Sequence, residues 1–181
     1  MDFLDELRLR LTKIHFRLAI YWSHDRISPT LPITADLSIP KGGAEGVVTC
    51  AGAFSAGWSL HIKDGKPHFR YTGIEISDID IAGTVTVPEG KVTLKSEFTS
   101  DGSKEGAGTL KLLVNGKLEG EDKIKRTFCR HGLEPFEVGR DSITPVSPDD
   151  KSPFAFTEKI EKVTLELIKK KHLLQPAADY E

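Results

Sequence analysis

Apolar and polar residues alternate with period two along most of the chain, and turn-forming residues break the pattern roughly every ten positions. Leu31, Ile33, Ala35, Leu37 and Ile39 share one face of a predicted strand that stops at Pro40-Lys41-Gly42-Gly43. Val47-Val48-Thr49-Cys50-Ala51 is apolar without alternation, which predicts a short strand covered on both faces. Trp58, Leu60 and Ile62 alternate into Asp64-Gly65, and Phe69 and Tyr71 alternate out again. Asp-Gly accepts the positive φ angles of a two-residue turn, so this segment predicts a hairpin. Leu110, Leu112 and Val114 run into Asn115-Gly116 with Leu118 returning, a second hairpin by the same reasoning.

Between the hairpins, Ile74, Ile76, Ile79 and Ile81 change phase at Ser77-Asp78, which predicts a bulge or bend. Val85 and Val87 continue the alternation to Pro88-Glu89-Gly90, and Val92, Leu94 and Phe98 form the next strand. A polar loop fills Ser100 to Gly108, and Phe136 and Val138 lead into a long loop from Gly139 to Pro153. The last strand runs from about Phe156 to Leu167, with Val163, Leu165 and Leu167 on one face. Many short strands without a central helix predict an all-β domain, a jelly-roll sandwich of two antiparallel sheets. Strand and helix do not alternate, which argues against a parallel α/β enzyme. Residues 1–22 fit two patterns, because Phe3, Leu7, Leu11, Ile14 and Leu18 match a helix face while Ile14, Phe16, Leu18, Ile20 and Trp22 match a strand. The expectation is a short helix or coil to about Thr12, then a strand. Residues 1–22 are thus an N-terminal extension, 23–168 the sandwich and 169–181 a polar tail.

Charge narrows the function classes. The chain of 181 residues carries 25 Lys and Arg against 27 Asp and Glu, a net charge of -2, so no broad positive field exists to attract nucleic acid or anionic lipid. The one dense basic run, Lys169-Lys170-Lys171, reads as a solvated tail. No apolar stretch approaches the roughly 18 residues of a membrane helix, and the acidic Met1 to Glu6 does not resemble a signal peptide. Taken as a complete chain, the protein is expected in the cytoplasm, with neither nucleic acid nor membrane as partner. Cys50 and Cys129 form no Cys-x-x-Cys pair; a buried thiol is the leading reading for each, and a mutual disulfide the alternative.

No catalytic constellation emerges. A Gly-x-Ser-x-Gly elbow is missing, and the histidines lack the spacing of a helical zinc pair. His61 and His68 flank the Asp64-Gly65 turn and are expected to face each other as a half-exposed pair. Glu119 and Glu121, considered as a glycosidase pair, sit among Lys117, Asp122 and Lys123 and read as a solvated edge; Glu158 and Glu161 fare no better. Asp141, Asp149 and Asp150 in the long loop are weak calcium candidates, because oxygen ligands on irregular backbone suit that ion. No other cofactor is expected. Arg140 and Asp141 are the candidate binding residues of the same loop, Arg140 for its planar fork of donors. Trp58 is in phase with Leu60 and Ile62 and is expected in the core rather than on a sugar-stacking surface.

Several segments taken in order resemble one family. They are Ile33-Thr34-Ala35-Asp36-Leu37-Ser38-Ile39-Pro40, Gly42-Gly43-Ala44-Glu45-Gly46-Val47, and Gly57-Trp58-Ser59-Leu60 with Lys63-Asp64-Gly65-Lys66-Pro67. Val114-Asn115-Gly116-Lys117, Val138-Gly139-Arg140-Asp141, Pro145-Val146-Ser147 and Ile160-Glu161-Lys162-Val163 complete the series. From about Pro32 to Leu167 the chain is similar to the C-terminal accessory domain of bacterial arylsulfatases, a sandwich resembling concanavalin A-like and laminin G-like folds. Residues 1–22, Ile74 to Ile81 and Glu158-Lys159 depart from that pattern.

The resemblance implies a non-catalytic accessory domain. Sulfatase chemistry needs a Cys/Ser-x-Pro-x-Arg nucleophile and a metal cage, and neither Cys50-Ala51-Gly52 nor Cys129-Arg130-His131 fits. The implied partners are a sulfatase catalytic domain or a second copy of the chain. A lectin-like carbohydrate-binding module is the alternative function, with a glycan as partner, and a glucanase-type hydrolase is a weaker one.

Overall fold

A computed structural model describes residues 6–11, 31–73, 77–103, 105–127, 134, 136–147 and 151–168. In chain order the strands are β1 (Glu6–Leu11), β2 (Leu31–Ile39), β3 (Gly46–Ala53), β4 (Ala56–Lys63) and β5 (Lys66–Gly73). They continue as β6 (Ser77–Ala82), β7 (Gly90–Ser100), β8 (Gly108–Val114), β9 (Lys117–Ile124), β10 (Phe136–Val138) and β11 (Lys159–Ile168). One sheet has the order β1-β11-β2-β7-β8-β9 and the other β10-β3-β4-β5-β6, with every neighbouring pair antiparallel. This is the two-sheet antiparallel sandwich that the alternation predicts.

The period-two pattern works because successive side chains leave a strand on opposite faces. Ile33, Ala35 and Leu37 of β2, Leu94 and Phe98 of β7, and Leu110 and Leu112 of β8 meet Trp58, Leu60, Phe69 and Tyr71 of the facing sheet in one core. Trp58 is 4% exposed. Its ring stacks on Phe69 at 6.0 Å and tilts against Phe136 at 5.9 Å, separations at which aromatic pairs contribute beyond buried area. Both hairpin turns use the residues expected: Asp64 and Gly65 have φ of 51° and 70°, Asn115 and Gly116 of 49° and 79°.

β3 is buried along its whole length. A bulge between Val47 and Thr49 lets Val48 enter the main core while Val47 points to the opposite face. There Val47 and Cys50 pack with Val146 and Phe154, so the long loop forms a second, smaller core on the outside of the sheet.

The structure corrects three expectations. Residues 6–11 are an edge strand rather than a helix or coil: Leu7, Leu9 and Leu11 pair with Leu167, Leu165 and Val163, so the helical reading of Leu7 and Leu11 gives way to a ladder with β11. The segment Gly83–Pro88 is not a strand, because Gly83 and Val87 give their amides to Pro67 and Gly65 across the β4–β5 hairpin instead of to a ladder. On β9, Leu118 is exposed and Glu119 is buried, the reverse of the expected phase. A register shift pairs Leu112 with Gly120 but Leu113 with Leu118, so Glu119 is the extra residue turned off the solvent face. The predicted strand Ile14–Trp22, the isoleucines at 74 and 76, Cys129 and the basic tail lie outside the described residues.

Candidate functional site

With Trp58, Leu60, Phe69, Tyr71, Ile79 and Ile81 committed to the core, β4, β5 and β6 must present their other residues on the outer face. That face carries Ser59, His61, His68, Arg70, Thr72, Asp78 and Asp80. Register assembles them across three strands: Ser59 lies opposite Arg70, which lies opposite Asp80; His61 lies opposite His68; Thr72 lies opposite Asp78.

Arg70 Nη2 donates to Asp78 Oδ1 at 2.6 Å, and His68 Nδ1 lies 3.3 Å from Asp80 Oδ1. The Arg70 side chain is only 12% exposed while that of Asp78 is 67% exposed, so a largely enclosed guanidinium holds a carboxylate at the open rim. A guanidinium has five N–H donors, more than Asp78 takes, and the Arg70 Nε is buried with no hydrogen-bond partner among the described residues. The hydrogen bond from His68 holds the Asp80 carboxyl below its usual range.

His61 and His68 stack with ring centroids 5.2 Å apart, as the hairpin predicts, but the pair is not half-exposed on both sides. His61 is 1% exposed, covered by the edge of Phe154 at 6.3 Å. Burial first, and then the neighbouring His68, lower its pKa to about 4, so it is neutral near pH 7. Its Nδ1 is 3.2 Å from Ser59 Oγ. Both groups are fully enclosed, so this Ser–His contact offers no nucleophile to a substrate.

On the other side of Phe154 lies the long loop. Cys50 Sγ, a Glu137 carboxylate oxygen and an Asp141 carboxylate oxygen lie within 4.8 Å of one another. β10 places Glu137 directly opposite Cys50. Asp141, expected at a contact surface, is buried and braces the loop: its Oδ2 accepts from Val146 N at 2.9 Å, its own N donates to Pro153 O at 3.0 Å, and its O accepts from Ser152 Oγ at 2.8 Å. Arg140 is half-buried, and its carbonyl accepts from Cys50 Sγ at 3.5 Å. Cys50 is a free buried thiol. Asp149 and Asp150 lie outside the described residues, which leaves Asp141 as the calcium candidate whose position is known.

The expected solvated edge at Glu119 and Glu121 is half wrong. Glu119 is 6% exposed, closed in by its immediate neighbours at the sheet edge rather than by depth in the core. Thr84 Oγ1 donates to it at 2.6 Å and Lys117 Nζ lies at 3.6 Å, and these lower its pKa. Glu121 is exposed and lies 3.9 Å from Lys111 Nζ, so the two glutamates do not share an open cleft. Glu161 is exposed beside Lys159 and accepts from Ser38 Oγ.

Apart from the His61–His68 pair, the residues of the outer face were not singled out in the sequence, although a signal was present. His68, Arg70 and Thr72 alternate with Phe69 and Tyr71, and Asp78 and Asp80 alternate with Ile79 and Ile81. Adjacent strands carrying opposite charges on their polar faces announce a paired array once their register is known.

The fold is that of an antiparallel β-sandwich shared with carbohydrate-binding modules. Among solved structures, the chain is similar to the CBM40 of the Ruminococcus gnavus IT-sialidase bound to α2,3-sialyllactose, at a TM-score of 0.55 and 13% identity over 87% of this chain and 90% of that one. The same module solved alone gives 0.54 and 13% over 87% of this chain and 91% of that chain. The leech intramolecular trans-sialidase gives 0.53 and 13% over 87% of this chain, which spans 25% of that larger protein. No family model matches the chain, and a search of curated proteins finds no match.

Proposed function

We propose that this chain is a non-catalytic carbohydrate-binding module that takes a glycan against the outer face of the five-stranded sheet. Arg70 and His68 are the donors of the site, and Asp78 and Asp80 are the acceptors for sugar hydroxyls. The observation that carries the reading is the cation–carboxylate array itself, built on rigid strands and open at Asp78, in a fold shared with sialidase-associated binding modules. The guanidinium further favours a glycan with an acidic terminal sugar, because its planar fork matches a carboxylate in a way a point charge does not. Sialyllactose in the R. gnavus complexes is a ligand of that kind. The accessory role inferred from the arylsulfatase-like segments is compatible with this activity, but the relation to arylsulfatases rests on those segments alone.

Calorimetric titration with sialyllactose and with lactose tests the reading. Binding of the acidic sugar, and loss of about tenfold or more (roughly 1.4 kcal/mol) in Arg70→Ala with an unchanged fold, is the expected result. Equal affinity for both sugars would remove the acidic preference. Binding of neither, or binding indifferent to Arg70, would move the site elsewhere.

A further inference from the structure

We propose, resting on the glycan reading above, that Asp78 is the specificity-determining residue of the outer face: it occupies the edge of the Arg70 guanidinium that the carboxylate of an acidic sugar takes, and binding displaces it. Register creates the arrangement. Asp80 lies directly opposite Arg70, but its Oδ1 is 3.3 Å from His68 Nδ1, and Arg70 reaches diagonally to Asp78, the residue opposite Thr72. The contact joins one pair of atoms, Arg70 Nη2 donating to Asp78 Oδ1 at 2.6 Å.

A guanidinium presents its Nε–H and one Nη2–H side by side, and a carboxylate that meets this edge squarely accepts from both. Asp78 accepts from Nη2, while Nε is buried with no hydrogen-bond partner among the described residues. The edge is thus half answered. A buried donor left unpaired beside a charged acceptor calls for an explanation, and an oxygen brought by a ligand is one. The exchange is favourable for both groups involved. A ligand carboxylate seated on the edge satisfies Nε and Nη2 together, and the Arg70 side chain, 12% exposed, keeps a charged partner. Asp78, whose side chain is 67% exposed, passes into water that already surrounds most of it. A neutral sugar has no charge to offer in place of the one removed, so it leaves the Arg70–Asp78 pair intact. Selection of an acidic glycan therefore comes from the carboxylate that must be turned out as well as from the cation it covers.

The test titrates sialyllactose and its carboxyl methyl ester into the full parent chain and into Asp78→Asn. Asparagine keeps an oxygen acceptor for a sugar hydroxyl and removes the charge, and the exposed position leaves the fold undisturbed. Sialyllactose should bind the variant about fivefold more tightly, the gain expected when an exposed ion pair no longer has to be broken, while the ester should gain less than about twofold. In nitrogen-edited NMR of the parent, the Arg70 Nε proton should move downfield as sialyllactose saturates the site. Equal or weaker binding of sialyllactose to Asp78→Asn, with affinity still lost in Arg70→Ala, would overturn this inference and leave the glycan site standing. An equal gain for acid and ester, or an Nε resonance that stays in place at saturation, would do the same. Binding of neither sugar to parent or variant, or binding indifferent to Arg70→Ala, would overturn this inference and the glycan site together.

Discussion

Replacing His61 by glutamine should flatten the acid limb of the stability curve. In the folded protein His61 is neutral, with a pKa of about 4 against an ordinary 6.5, because burial and the neighbouring His68 and Lys63 outweigh Asp80 and a hydrogen bond with Ser59, which act in the other direction. The unfolded chain therefore takes up a proton at this ring as pH falls through 6.5, and the folded chain does not until about 4. Above 6.5 the ring is neutral in both states and contributes no slope. Between 6.5 and 4 each unit of pH costs about 1.4 kcal/mol, a total of about 3 kcal/mol, and below 4 the loss is complete. Asp80 does not confuse the window: its depressed folded pKa yields stability present above about 3.8 and lost only below it. Urea unfolding of parent and His61→Gln at half-unit steps from pH 7.5 to 4 measures the difference directly, since the other titrations largely cancel. The parent should lose about 3 kcal/mol relative to the variant across the window. Parallel curves, or a His61 proton resonance titrating near 6.5, would refute the argument and place the ring in contact with water.

Other consequences can be checked as simply. Trp58→Ala removes the ring shared by Phe69 and Phe136 and should cost about 3–5 kcal/mol in urea unfolding, with any glycan affinity lost only in proportion to unfolding. Asp141→Ala leaves the buried Val146 N without its acceptor and should cost about 1–3 kcal/mol, read as a lower melting temperature. Arg140→Glu tests loop docking: weaker self-association or weaker binding to a sulfatase catalytic domain at an unchanged melting temperature supports it, while a lowered midpoint assigns Arg140 to the loop's own framework.

Most strands were legible because each carries its own period-two signal, and both hairpins because Asp64-Gly65 and Asn115-Gly116 have the geometry their turns require. β1 was not, since Leu7 and Leu11 suit a helix as well as a strand, and what decides is a ladder with β11, more than a hundred residues away in sequence. Glu119 was misread for a related reason: a single register shift on β9 inverts which residues face in, and no local composition announces it. The outer-face array was legible in its parts, as alternating polar residues, but not in its pairing. Arg70 meets Asp78 only because the chain between β5 and β6 fixes that register. The loop cluster was half visible. Asp141 was noted, but its partners Cys50 and Glu137 become neighbours only once β10 docks on β3.

The path of the chain along β3 also bears on how this protein behaves when crowded. A sheet edge offers unpaired amides and carbonyls to any passing strand, the usual route to edge-to-edge aggregation. Here β10 occupies the edge of β3 from Thr49 to Ala51, and the returning loop continues past it: Gly139 N bonds Val48 O, Val47 N bonds Phe154 O, and Thr157 N bonds Glu45 O. Almost no free ladder remains on that side. At the opposite edge, β6 alternates Asp78 and Asp80 with its core isoleucines, so a strand added there meets carboxylates on every second residue. One edge of this sheet is thus sealed by chain and the other guarded by charge, which disfavours strand-by-strand association of neighbouring copies through it at high concentration.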